Sequence, residues 1–368
     1  MALRIEPASD AVAEPLPHEL GFGRVFTNRM FTQHYTPERG WHDAAIGPYR
    51  PLLLDPAAEV FHCGQMVFDG TKAYRRPDGH LNLFRVERNA QRFNRSAARL
   101  GMPVVDERAH VEAIVELVRL EHRWTPSEDG AALYIRPVMI ALDRTLEVRA
   151  SREYLHYIIL SPVGPYFGAG FEPVSVFVSD QFVRAVRGGT GEAKTPANYA
   201  GSLYATEQAR SAGYQQVLWL DAIERKYVDE VGAMNIAFVY HGRQIKTPPL
   251  SGSILPGITR ESILRLAPDL GFPVSEERIA IEDVLRDLAS GTITEVFGMG
   301  TGAVIAPVGR LSYRGQDVQI DRGQAGPVAR RLFDELTGLQ CGRRPDPYGW
   351  TRIVHVDRPV GCEPVPAG

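Results

Sequence analysis

The stretch RGGTGEAKTPANY (187–199) places three glycines before one lysine, Lys194, and follows it with Asn198 and Tyr199. Glycines free the backbone to turn tightly, and a lysine amine held at such a turn can attack a carbonyl or neutralise a phosphate. The text comes close to the phosphate loop G-x-x-x-x-G-K-[ST]: Gly188 has the right spacing, but Ala193 stands where a glycine must let the backbone wrap the phosphates. Nucleotide hydrolysis is therefore disfavoured. What remains is a lysine nucleophile, or a surface lysine after a glycine turn.

Four further segments bear on that choice. YVDEVGAMNIAFVY carries Glu230 inside an otherwise apolar strand pattern. A buried carboxylate is costly unless a cation or hydrogen bonds satisfy it, and a pyridinium nitrogen would do so. SGSILPGITRES runs from a Gly/Pro loop into a helix, so backbone N–H groups near Ile258 and the Thr259 hydroxyl can hold a phosphate. FGMGTGAV is a second glycine turn, exposing Thr301. In LFRVERN, Arg85 follows an apolar strand. A lysine nucleophile, a carboxylate, two phosphate-binding turns and an arginine are the parts that pyridoxal phosphate (PLP) chemistry uses.

These side chains need elements to hold them. Extended pieces at 51–75 lead through the PDGH turn into LNLF and the helical VERNAQRFNRSAARLG, with Gly101 as its stop. A second helix near 107–122 has Val111, Ile114, Val115 and Val118 at helical spacing. AALYIRPVMIAL (131–142) and YLHYIILSP (154–162) read as strands. SPVGPYFGAGFEP holds three glycines and three prolines and reads as a linker. Domains are thus expected over 1–160 and 174–368, joined by 161–173. After the linker come a strand near 174–185, a helix near 198–212, further strand pairs, a helix from about 258, a hairpin ladder over TEVFGMGTGAVIAPVGRLSYRGQDVQI and a last helix, PVARRLFDELTGL. Strands and helices mix in both halves, so the expected class is α+β with two domains.

The whole chain narrows the function classes. Its 368 residues carry 41 basic and 44 acidic side chains, a formal charge of −3, so charge gives no case for nucleic acid or an anionic membrane. Three cysteines without CxxC spacing (Cys63, Cys341, Cys362) make neither a disulfide framework nor a zinc site. The ten histidines show no HExxH spacing, and no metal is expected. The acidic, Pro-rich N-terminus is unlike a signal peptide, and no apolar run approaches membrane length. A cytoplasmic, soluble enzyme of small molecules is the reading.

In order, the segments FDGTKAYR, LFRVERNAQRFNRSA, ALYIRPVMI, SPVGPYF, GGTGEAKTPANYAGSL, DEVGAMNIAFV, LPGITRESIL and GTGAVIAPVG resemble the branched-chain amino acid aminotransferases, which are class IV, fold type IV PLP enzymes. The resemblance runs from GFGRVFTNRM to DPYGWTRIV. It implies that Lys194 carries the cofactor's covalent link and is the catalytic base. It implies that Tyr199 bonds the phenolic oxygen and Glu230 the ring nitrogen, and that Arg85, Ile258, Thr259 and Thr301 hold the phosphate. Tyr134 and Arg136 would lie on the substrate side, Phe22 and Phe68 would line an apolar pocket, and the turns at Ala233 and Gly302 would offer N–H groups to the substrate carboxylate. Leu146 and Val148 match a loop lent to a partner subunit, implying a homodimer. The implied reaction moves an amino group from leucine, isoleucine or valine to 2-oxoglutarate.

The chain also departs from that pattern. Cys63 stands where a tyrosine is usual, beside the substrate pocket; Ala233 replaces threonine or glycine, and Gly302 replaces alanine. A smaller side chain at 63 implies either a tolerated variant or an altered hydrophobic specificity serving a specialised pathway. A non-catalytic PLP-binding paralogue is the reading outside enzymes, and intact Lys194, Tyr199 and Glu230 argue against it.

Overall fold

The computed structural model describes residues 3–10, 20–164 and 171–356. Its contacts divide the chain into two compact units: Met1–Gly168 together with everything from Gly338 on, and Ala169–Thr337. Sequence reading kept 174 to the end in one piece. Strand Thr351–Val354 instead pairs antiparallel with Leu81–Phe84, which brings the chain end into the first unit's sheet. Residues 165–170 of the expected linker lie outside the described residues, and its first part, through Val163, still belongs to strand Tyr154–Val163.

In the first unit, among the described residues, a nine-stranded sheet runs from Arg4–Ile5 through Gly40–Pro48, Arg29–Thr36, Tyr154–Val163, Ala132–Ala141, Thr71–Arg75 and Leu81–Phe84 to Thr351–Val354. The short strand Met66–Phe68 pairs with the far half of Ala132–Ala141. Both sequence-expected helices form, Val86–Arg99 and Glu107–Leu120, the second capped by the Asp106 carboxylate on Ala109 N–H at 2.7 Å. Their apolar stripes (Val86, Ala90, Val111, Ile114, Leu117, Val118) pack on Leu81, Leu83, Leu133, Ile135, Ile158 and Leu160. Below this core His110 and His156 stack at 5.0 Å, fully buried among Phe93 and Phe31.

The second unit has its own nine-stranded sheet: Val228–Val231, Gln216–Leu220, Val174–Ser179, Val304–Tyr313, Ile293–Gly300, Asn235–Tyr240, Gln244–Thr247 and Val274–Glu276 in spatial order, with Gln316–Gln319 on Val304–Tyr313. The expected hairpin ladder is the run Ile293–Gly300, Val304–Tyr313, Gln316–Gln319. The helix expected over 198–212 is broken into Ala197–Ala200 and Leu203–Ser211. Gly201 is a weak helix former, and the Ser202 hydroxyl donates to Tyr199 O at 2.7 Å, which competes with the helical ladder. No helix among the described residues is long and apolar enough to cross a membrane.

Candidate active site

Lys194 sits half-buried on the loop between strand Val174–Ser179 and helix Ala197–Ala200. The loop is rigid because Asn198 pins it: its amide donates to Thr190 O (2.7 Å) and Ala193 O (2.8 Å) and accepts from the Thr190 hydroxyl (2.7 Å). The short helix then turns Tyr199 back, so Lys194 Nζ donates to its hydroxyl oxygen at 2.7 Å.

Glu230 lies at the centre of strand Val228–Val231 and is only 3% exposed. Burial pushes its carboxyl up to about 7, against the pull of the nearby Arg184 charge. Arg184 Nε pairs with Glu230 Oε2 at 2.6 Å, and Asn235 Nδ2 donates to Oε1 at 3.0 Å. The same Asn235 amide donates to Leu255 O at 3.0 Å, which ties the carboxylate to the loop leading into helix Ile258–Asp269. Gly257 is required there, because a Cβ would overlap the Asn235 carbonyl oxygen. The first intrahelical bond runs from Glu261 N to Gly257 O, so the N–H groups of Ile258, Thr259 and Arg260 have no acceptor within the helix. That turn is suited to an anion.

Ala233 lies on the turn between Val228–Val231 and Asn235–Tyr240, and Thr301 and Gly302 on the turn between Ile293–Gly300 and Val304–Tyr313. Met234 packs against both Gly298 and Gly300, setting these two turns side by side. The second unit thus gathers Lys194, Tyr199, Glu230, Ile258, Thr259, Ala233, Thr301 and Gly302 into one connected region.

The first unit gathers most of the rest. Phe22 meets Tyr134 edge-on at 4.8 Å. Arg136 donates to the Tyr134 hydroxyl at 3.1 Å and lies 4.9 Å over the Phe68 ring. Among the described residues the Arg136 Nε, shut off from solvent, has no hydrogen-bond partner. Gly70 lets Tyr134 approach, since a Cβ there would overlap the phenol oxygen. Arg85 opens helix Val86–Arg99 with φ 51° and lies 5.0 Å over Trp350, which stacks on Tyr348. Cys63 is exposed, and its Sγ donates to Glu147 O at 3.8 Å, beside exposed Leu146 and Val148. Asp143 anchors that loop through Arg152 N–H, Glu153 N–H and the Arg149 guanidinium at 2.7 Å.

Sequence reading passed over Arg184, Asn235 and Trp350 as functional residues. Only the need of a buried carboxylate for a cation pointed towards Arg184. Asn235 stands inside a segment read as strand, and Trp350 was read as packing.

Residues 66–311 match the family described as amino-transferase class IV. The chain belongs to the class IV aminotransferases, in their branched-chain amino acid branch. Branched-chain-amino-acid transaminase 1 of Bacillus subtilis is 51% identical over 92% of this chain and 95% of its own. A probable branched-chain-amino-acid aminotransferase of Streptomyces coelicolor is 49% identical over 95% and 96%. Among solved structures, the branched-chain amino acid aminotransferase of Escherichia coli has a TM-score of 0.75 at 27% identity, over 89% of this chain and all of that one. The T.th. branched-chain amino acid aminotransferase complexed with N-(5'-phosphopyridoxyl)-L-glutamate has a TM-score of 0.73 at 27% identity, over 89% and 99%. The fold is therefore the fold type IV α+β architecture, and the cofactor of this class IV aminotransferase is PLP. The donor set fits that cofactor: an amine beside a phenol, a buried carboxylate for a ring nitrogen, and an N–H-rich helix start for a phosphate.

Proposed function

We propose that this class IV aminotransferase transfers the amino group of leucine, isoleucine and valine to 2-oxoglutarate, giving the branched-chain 2-oxo acid and L-glutamate. It would act in the cytoplasm as a homodimer. The observation that carries the reading is the Lys194 amine on the Tyr199 hydroxyl, in one connected region with a buried Glu230. The identities of 51% and 49% to branched-chain enzymes over nearly the whole chain support the substrate class.

When bound, PLP supplies the electrophilic carbon that takes up the amino group and a ring that accepts negative charge. Lys194 Nζ would hold the cofactor covalently and, as a free amine, would move the proton at the substrate Cα. Tyr199 orients the amine. Glu230, a buried carboxylate, would face the ring nitrogen and keep it protonated. The first turn of helix Ile258–Asp269 and the Thr259 and Thr301 hydroxyls would grip the phosphate. Arg136, flanked by Tyr134, Phe68 and Phe22, suits both needs of the substrate side: aromatic walls for an aliphatic side chain and a spare N–H for glutamate's second carboxylate. Leu146 and Val148, on an anchored and exposed loop, support a role in a partner subunit's pocket.

Borohydride reduction followed by peptide mass mapping tests the covalent role: the label must fall on Lys194, and a label elsewhere rejects it. A panel of amino donors against 2-oxoglutarate tests the substrates. Leucine, isoleucine and valine should lead it with ping-pong kinetics, and a panel led by D-amino acids or amines rejects the reading.

A further inference from the structure

Arg184 stands ten residues before the lysine, its side chain only 8% exposed, and makes more than an ion pair. Its Nε holds Glu230 Oε2 at 2.6 Å, while its Nη2 donates to Gly191 O at 3.3 Å and to Ser253 O. One side chain thereby links the carboxylate, the loop that carries Lys194 and the loop that leads to the phosphate-binding helix. These two loops are pressed together, for a Cβ on Gly191 would overlap the Ser253 carbonyl. Glu230 itself is closed off from water, so its charge state depends on its few neighbours.

We infer that Arg184 is a positioning residue of this reaction: its charge keeps Glu230 ionised, and so places the proton shared by Glu230 and the cofactor's ring nitrogen on the nitrogen. This rests on the reading that Glu230 faces that nitrogen. One proton lies between two bases, a carboxylate and a pyridine. A guanidinium on one oxygen of the carboxylate favours the arrangement in which the carboxylate is negative and the ring positive. Without it the same proton moves to the carboxyl, and the ring is neutral. The groups nearest Glu230 place the balance finely: burial and the Asp229 charge favour the neutral acid, while the Arg184 and Lys194 charges oppose it, leaving the carboxyl near 7. The removal of one positive charge tips such a balance.

The test uses the holoenzyme loaded with PLP labelled with ¹⁵N in its ring, read by NMR, where protonated and neutral ring nitrogens resonate apart. The parent should give the protonated signal and Glu230→Gln the neutral one. If Glu230→Gln leaves the signal unmoved, the facing of Glu230 and the nitrogen fails, separately from any result at 184. Given that shift, Arg184→Gln should give the neutral signal and bind PLP about tenfold or more weakly, for loss of a charged hydrogen bond. Arg184→Lys, which keeps a charge but cannot reach all three partners, should restore the protonated signal. A protonated ring in Arg184→Gln overturns the inference, because a purely structural arginine would not move the proton. Should Arg184→Gln fail to hold cofactor, Arg184→Met, of similar length and without charge, carries the same test: a neutral ring there upholds the inference, and a protonated ring overturns it.

Discussion

Arg136 combines a hydrogen bond to Tyr134, a ring face on Phe68 and an Nε without a partner among the described residues. Replacing it by glutamine removes the charge and leaves the aromatic walls. The expected result is a KM for 2-oxoglutarate raised about ten- to a hundredfold, for loss of a charge-assisted bond, with the KM for leucine moved far less. Steady-state kinetics on both substrates measure it, and an equal change in the two would place the carboxylate elsewhere. Cys63 makes a different prediction. Its thiol borders the loop of Leu146 and Val148, and Cys63→Tyr sets a ring there. The ratio of kcat/KM for the bulkiest accepted donor to that for leucine should fall about tenfold, the scale of one or two methylenes in an apolar pocket. An unchanged ratio would mean that residue 63 does not bound the pocket. Lys194 and Tyr199 were legible in sequence because they are five residues apart and brought together by one short turn. Arg184 and Asn235 were not, because an arginine before a glycine run and an asparagine in a strand carry no local signal. Their meaning comes from Glu230, which reaches both only after the sheet and loops have formed.

Gly257 shows how strictly the loop before helix Ile258–Asp269 is seated. In Gly257→Ala the new methyl must displace Asn235, whose amide serves both Glu230 and Leu255 O. The variant should lose about 1–3 kcal/mol of stability, as overpacked sites do. Its apparent Kd for PLP should also weaken, because the phosphate turn shifts with the loop. Chemical denaturation and cofactor titration read these separately. A loss of stability with unchanged PLP affinity would free the phosphate turn from this contact. Elements such as Val86–Arg99, Glu107–Leu120 and the ladder from Ile293 were legible because period and terminal glycine agreed over several turns or strands. The break at Gly201–Ser202 was not, because the serine's preference for Tyr199 O outweighs an otherwise helical pattern by a single hydrogen bond. Strand Thr351–Val354 was missed for another reason: four residues hold no period, and their partner lies far back in the chain.

Acid should unsettle the molecule through its first unit. Burial holds the His110 imidazole down to about 4 from an ordinary 6.5, and pushes His156 well below its ordinary value. A depressed histidine contributes stability above the unfolded value, and that contribution drains away as pH falls from about 6.5 towards 4. At pH 5 His110 alone accounts for about 2 kcal/mol relative to pH 8. His110→Leu should therefore lose less Tm between pH 8 and pH 5 than the parent, and an equal loss would assign the acid sensitivity elsewhere. Assembly gives a second test. If Leu146 and Val148 serve a neighbour's pocket, a loop variant (Leu146→Asp, Val148→Asp) mixed with Lys194→Ala should regain activity that neither has alone, since a mixed dimer holds one intact site. No recovery after subunit exchange would confine the loop to its own chain.

Arg184, Glu230 and Asn235, with the main-chain oxygen of Leu255, share so few atoms among so many duties that a change in one of the three side chains disturbs the others. The lineage of such an enzyme is thereby steered. At Cys63, Leu146 and Val148 the side chains stand exposed, so a substitution there leaves that cluster of bonds intact.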